Sequence, residues 1–234
     1  MKFENQFEEG WYKRLSPFLH SQQFKYIGKT LTIETKLGHS ITPLFDDTFR
    51  AFKECSFDNT KVVLLGLDPY PAKGVADGLA FSSRTADYNN PPKSLDFILD
   101  AMEKDEYGGF GIGFNQEYCN PDLTRWANQG VLLLNLALST RIGETGSHLE
   151  LWAPFIREVF KVLQEKTTVV YIFLGAKARQ WKVLVNQDFN YTLETSHPSS
   201  CNYNGKKVWD CEQIFSKTNE ILRLLNGEEN KILW

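Results

Sequence analysis

Apolar residues run without alternation through Val62–Leu67, Gly130–Leu138 and Thr168–Gly175, and Tyr191–Glu194 reads as a fourth, shorter extended segment. Continuous apolar runs that open on β-branched residues fit strands covered on both faces, the environment of a parallel sheet. Between them the period lengthens to that of a helix. Residues 1–40 carry Trp11, Leu15, Phe18 and Leu19 at helical spacing, and Leu44–Cys55 places Phe45, Phe49 and Phe52 on one face. Leu95, Ile98, Leu99 and Met102 predict a helix N-capped by Ser94, and Trp152, Ile156, Val159, Phe160 and Leu163 predict another. Gly175-Ala176 opens a short basic helix, and Glu212–Leu225 predicts a last one through Ile214, Thr218, Ile221, Leu222 and Leu225. Glu106–Leu123, rich in Gly, Phe and Asn, reads as an irregular surface loop. Strands alternating with helices make βαβ units. The expected fold is therefore α/β: a three-layer sandwich with a central, mainly parallel four-stranded sheet flanked by helices on both faces. One domain over 1–234 is expected, with residues 1–40 as a helical segment packed on it.

Composition narrows the function classes. With 234 residues, 42% of them hydrophobic and 14% aromatic, the chain can bury one sizeable core. A net charge of -3 argues against a protein that coats nucleic acid, since such binding rests on Lys and Arg neutralising phosphates. Local clusters, Lys206-Lys207 and Lys177, Arg179 and Lys182, still offer basic ground. The opening MKFENQFEEGWYKR has no apolar signal core, and no apolar run approaches the ~18 residues of a membrane span, so a cytoplasmic protein is expected. Cys55, Cys119, Cys201 and Cys211 form no C-x-x-C pair, which points to neither a disulfide framework nor a zinc or iron–sulfur site.

Candidate chemistry gathers where the runs end. GLDPYP follows the first, spaced glycines lead on to GLAFS, Asn135 closes GVLLLN, and HPSSCN follows the fourth. In open α/β sheets the carboxyl ends of the strands face the ligand crevice. An Asp-Pro turn alone is ordinary, and an aromatic residue seen alone is more readily core. Their combination, in this order, resembles the uracil-DNA glycosylase family, whose patterns read G-Q-D-P-Y-H, G-L-C-F-S, G-V-L-L-L-N and H-P-S-P-L-S. The resemblance runs from about Ile41 to Leu225 and includes Phe215-Ser216-Lys217-Thr218-Asn219.

That resemblance implies a cofactor-free and metal-free, monofunctional enzyme that flips deoxyuridine out of DNA and hydrolyses its N-glycosidic bond. Asp68 would orient water and stabilise the cationic sugar, while His197, as a neutral donor, would stabilise the leaving uracil. Asn135 would read the base edge, Phe81 would stack on it, Tyr70 would exclude a 5-methyl group, and Leu67 would offer its backbone N–H. DNA contacts would come from Ser82 or Ser83, Ser94, Ser199 and the amide at Gly175. The wedge filling the vacated stack aligns with Cys201, for which the larger Tyr203 is the better candidate. The implied partners are DNA containing uracil, single- or double-stranded, and a proteinaceous glycosylase inhibitor, acting on a monomer; the nucleoid or a viral replication site would be the place of action. Departures from the pattern are Leu67 for Gln, Pro71 for His in a D-P-Y-P variant of the water-activating loop, Ala80 for Cys, and Ala176 for Ser. They leave two alternatives: a glycosylase for another modified base, such as a 5-substituted uracil, or a non-catalytic DNA-binding or assembly subunit of the same fold.

Overall fold

The structure, a computed structural model, describes residues 4–108, 120–203 and 208–234, without the side chains of Asn202, Tyr203 and Asn226. Its strands are β1 (Ile41–Thr42), β2 (Val62–Gly66), β3 (Val131–Asn135), β4 (Thr140–Arg141), β5 (Val170–Leu174) and β6 (Tyr191–Thr195). The four longer ones form one sheet in the order β3-β2-β5-β6 with every pairing parallel, as the apolar runs predicted. All residues of β2, β3 and β5 are buried, whereas β6, at the edge, is only partly covered. The short strands β1 and β4 pair antiparallel in a separate ribbon that the sequence did not announce.

The helices are α1 (Glu9–Leu19), α2 (Gln22–Lys36), α3 (Arg50–Glu54), α4 (Lys93–Tyr107), α5 (Thr124–Asn128), α6 (Leu149–Leu163), α7 (Ala176–Arg179), α8 (Ser200–Tyr203) and α9 (Ile214–Asn226). The helices α1, α2 and α6 pack on one another, and α4 packs on α9, which lies against β5 and β6. Aromatic side chains fill the first group: Trp11, Phe49, Phe52, Trp152 and Phe155 are almost fully buried and meet mostly edge to face. Each such side chain contributes about 1.5–3 kcal/mol by leaving water. A second ring cluster joins Trp126, Phe215 and Trp234.

Three local expectations are corrected. The N-terminal pattern forms two helices, because Ser21 stops α1 and caps α2 by accepting Phe24 N–H at 3.1 Å. Leu44–Cys55 is broken into a 3-10 turn and α3, leaving Phe45 exposed while Phe49 and Phe52 face the core. The N-cap of α4 is Pro92, and the Ser94 hydroxyl lies 2.6 Å from the Ser199 hydroxyl instead of capping.

The parallel register sets the carboxyl ends side by side. Gly66 pairs with Asn135, and Leu174 pairs with Thr195. The chain leaves central β2 for β3 on one side and returns to β5 on the other, which opens a crevice at that edge.

Candidate active site

A cavity of about 390 Å³ occupies the crevice. It is lined by side chains from three separate strand ends: Leu67, Asp68 and Tyr70 after β2, Asn135 at the end of β3, and His197 after β6. Phe81, Ser94 and Ser199 also face it.

Asn135 is almost fully buried, and Gly66, its strand neighbour, is what makes room for it. A Cβ at Gly66 would collide with Asn135 Oδ1 and press on the Phe81 ring and Ala80. Phe81 is itself held unusually, with a left-handed φ of 65° that costs a non-glycine residue energy. Its carbonyl accepts the Tyr70 hydroxyl at 2.8 Å, so the two rings are fixed relative to each other. The loop behind them is braced by Asp77, which accepts Leu79 N–H, Arg84 N–H and the Ser82 hydroxyl and pairs with Arg50 at 2.9 Å. Both charged groups are nearly fully buried, and removing one partner of such a pair costs about 3–5 kcal/mol.

Asp68 Oδ2 accepts Gly146 N–H at 2.5 Å. Burial pushes this carboxyl above its usual pKa, while the bonds from Gly146 and Thr140 and the charge of Lys177 pull the other way. Across the cavity, His197 Nδ1 accepts Ser199 N–H at 3.2 Å. An Nδ1 that accepts places the ring hydrogen of neutral imidazole on Nε2, where it can be donated. Burial lowers the His197 pKa, which favours that neutral form. The Phe81 and His197 rings are 5.9 Å apart. Gly175, at φ 96°, lets the chain pass against His197, since a Cβ there would lie 3.0 Å from the His197 Cβ.

Asp68, Leu67, Tyr70, Phe81, Asn135, His197, Ser94 and Ser199 are thus brought together, and three expected DNA contacts are not. Ser82 is fully buried; its hydroxyl donates to Asp77 and accepts Leu123 N–H, so no phosphate reaches it. Ser83 is buried as well. Gly175 N–H is already bonded to Thr195 O at 3.0 Å. Cys201 is buried, its thiol against Pro198 O, and is no wedge. The Tyr203 side chain and Lys206-Lys207 lie outside the described residues. Of the basic cluster, Arg179 and Lys182 both pair with Glu194, at 2.8 and 2.5 Å.

Sequence reasoning passed over Asp77, Arg50, Thr145 and Gly146. Gly146 sits 78 residues from Asp68, and Arg50 27 from Asp77, separations at which local pattern carries no signal.

The profile of the family described as Uracil DNA glycosylase superfamily matches residues 52–223. The uracil-DNA glycosylase of Christiangramia forsetii is 34% identical over 236 residues, covering 100% of this chain and 95% of that one. Among solved structures, mimivirus uracil-DNA glycosylase superposes with a TM-score of 0.82 at 21% identity, covering 100% of this chain and 89% of that chain. A variant of the mimivirus protein in complex with UGI gives the same TM-score and identity, covering 100% and 91%. At such identity the structures show the fold. Among the described residues, no helix is long and apolar enough to cross a membrane.

Proposed function

The chain belongs to the uracil-DNA glycosylase superfamily, and on that premise we propose how its own residues divide the work of excising uracil from DNA. The reaction is hydrolytic: water replaces the base at C1′ of the sugar, uracil departs, and an abasic site remains for base excision repair. The target base must first leave the stack, at a cost of a few kcal/mol, and be held in a pocket.

Asn135 accepts from uracil N3–H and donates to O4, a pattern that cytosine reverses. Phe81 stacks on the base, Leu67 offers its backbone N–H, and the tethered Tyr70 ring closes the space beside C5. Bond cleavage puts positive charge on the sugar and negative charge on uracil O2. The Asp68 carboxylate meets the first and directs the attacking water; His197 Nε2–H meets the second. Ser94 and Ser199 hold the flanking phosphates. The mimivirus complex supports a proteinaceous partner as well, and UGI is the one to try.

The observation that carries this reading is the meeting of Asp68, Asn135, Phe81 and His197 around one cavity of base-binding size. Matched oligonucleotides bearing uracil, thymine, 5-hydroxymethyluracil or hypoxanthine, followed by alkaline cleavage, test it. Strand scission is expected at uracil alone. Intact uracil strands, or preferential scission at another base, would overturn it.

A further inference from the structure

The N–H that grips Asp68 belongs to a loop, 142–148, that has little core of its own. Gly143, Glu144 and Thr145 are exposed, and Gly143 and Gly146 both adopt left-handed backbone, at φ 83° and 77°. What fixes the loop lies elsewhere in the chain. Glu34, near the end of α2, accepts Arg141 Nε–H and Nη2–H at 3.0 and 2.8 Å, a two-pronged bond at the loop's first end. At its other end, His148 Nε2 lies 2.8 Å from Glu34 Oε2. Trp152 Nε1–H donates to Ser139 Oγ at 2.8 Å, and that hydroxyl lies 2.9 Å from His148 Nδ1; the Glu34 carboxylate can only accept, so the hydrogen between it and the ring sits on His148 Nε2. One carboxylate therefore clasps both ends of the loop. Ser40 O accepts Ile142 N–H at 2.8 Å, and the ribbon of β1 and β4 aligns the same strand with the segment after α2. The loop in turn holds the catalytic turn at two points, Gly146 N–H to Asp68 and Gly143 N–H to Pro71 O at 2.9 Å.

We propose that Glu34 is a positioning residue for uracil excision: by clasping Arg141 and His148 it sets the loop whose Gly146 N–H orients the Asp68 carboxylate. The proposal rests on the role given to Asp68 above. Glu34 does not line the cavity, and it acts through geometry, where a displacement of about 1 Å can cost about a hundredfold in rate. The titratable and charged groups facing Glu34 are His148 and Arg141, and Glu144 shares Arg141. Those arginine bonds, reinforced by His148, hold the Glu34 carboxyl down to about 2, so it stays charged through the working range. The groups acting on Asp68 are Gly146, Thr140 and Lys177.

Single-turnover excision by the full chain tests this, with Asp68→Asn, Glu34→Gln, Arg141→Lys and, as a stability control from a remote surface ion pair, Arg14→Gln. Glu34→Gln should lower kcat about 10- to 100-fold with KM within about twofold of the parent. Loosening Gly146 removes a bond that favours the ionised Asp68, so the acid limb of the pH profile should move to higher pH. Arg141→Lys keeps the charge and loses the fork, and should show the same pattern more weakly. Should Glu34→Gln not fold, Arg141→Lys decides alone. Parent kcat and an unmoved acid limb would overturn the proposal, as would a change no larger than that of Arg14→Gln. Retained turnover in Asp68→Asn would instead overturn the role of Asp68 itself.

Discussion

Around the part of the cavity lined by Asp68, Tyr70 and Asn135, side chains are fixed by backbone groups or strand pairing: Gly146 N–H on Asp68, the Phe81 carbonyl on Tyr70, and the register that sets Gly66 under Asn135. Elsewhere, at Ser94 and Ser199, one hydroxyl holds another, and Arg179 and Lys182 are turned to Glu194. The first kind of support fixes atoms to fractions of an ångström, which base discrimination and transition-state stabilisation demand. The second tolerates adjustment, and phosphates ask for little more, since they position the nucleic acid without reading it.

The comparison breaks most sharply at Asp68 and His197. Asp68→Asn and His197→Ala should each lower turnover about 10²- to 10³-fold in single-turnover assays while oligonucleotide binding is kept, because the role proposed for each acts on charge that develops only in the transition state. Asp68 adds a pH signature. Its folded pKa is raised, so activity is present above that value and lost as pH falls through it, and the acid limb of kcat/KM should lie above the pKa of an ordinary aspartate. The same shift means that ionised Asp68 opposes folding above its unfolded pKa. Asp68→Asn should therefore melt no lower than the parent at neutral pH while being far less active.

Smaller effects should appear in base choice. Tyr70→Ala should permit slow release of thymine, and Asn135→Asp should admit cytosine, each measured on single-base substrates with loss of uracil activity. A pair of variants that lose uracil activity and gain nothing would leave Tyr70 and Asn135 without the base-reading role proposed for them. Smallest of all, Ser94→Ala should raise KM about two- to fivefold with kcat nearly unchanged, since one phosphate hydrogen bond is worth about 0.5–1.5 kcal/mol and a solvent hydroxyl can replace it.

The strands and the chemistry at their ends were legible because both are written locally: apolar runs make buried parallel strands, and those strands carry Asp68, Asn135 and His197 at their carboxyl ends. What was not legible depends on residues far apart. Ser94 has the composition of an N-cap, yet Pro92 takes that place and Ser199, 105 positions on, takes the hydroxyl. Ser82 stands in a motif that suggested phosphate, and a buried acid five residues before it claims its hydrogen. The ribbon of β1 and β4 is two residues long on each side, too short to leave a period. Lys177, Arg179 and Lys182 read as a basic cluster until the sheet brings Glu194 among them.

That last arrangement bears on how the protein travels. Each cation that neutralises a phosphate displaces condensed counterions and steepens the salt dependence of duplex binding by about 0.9 in the logarithmic slope. Arg179 and Lys182 are paired within the protein, and a cation so paired adds little to that slope. A lesion finder surveys far more normal base pairs than damaged ones, and its throughput is limited by dwell time on the wrong sites. Glu194, three residues from His197 in sequence, is the residue on which that pairing turns.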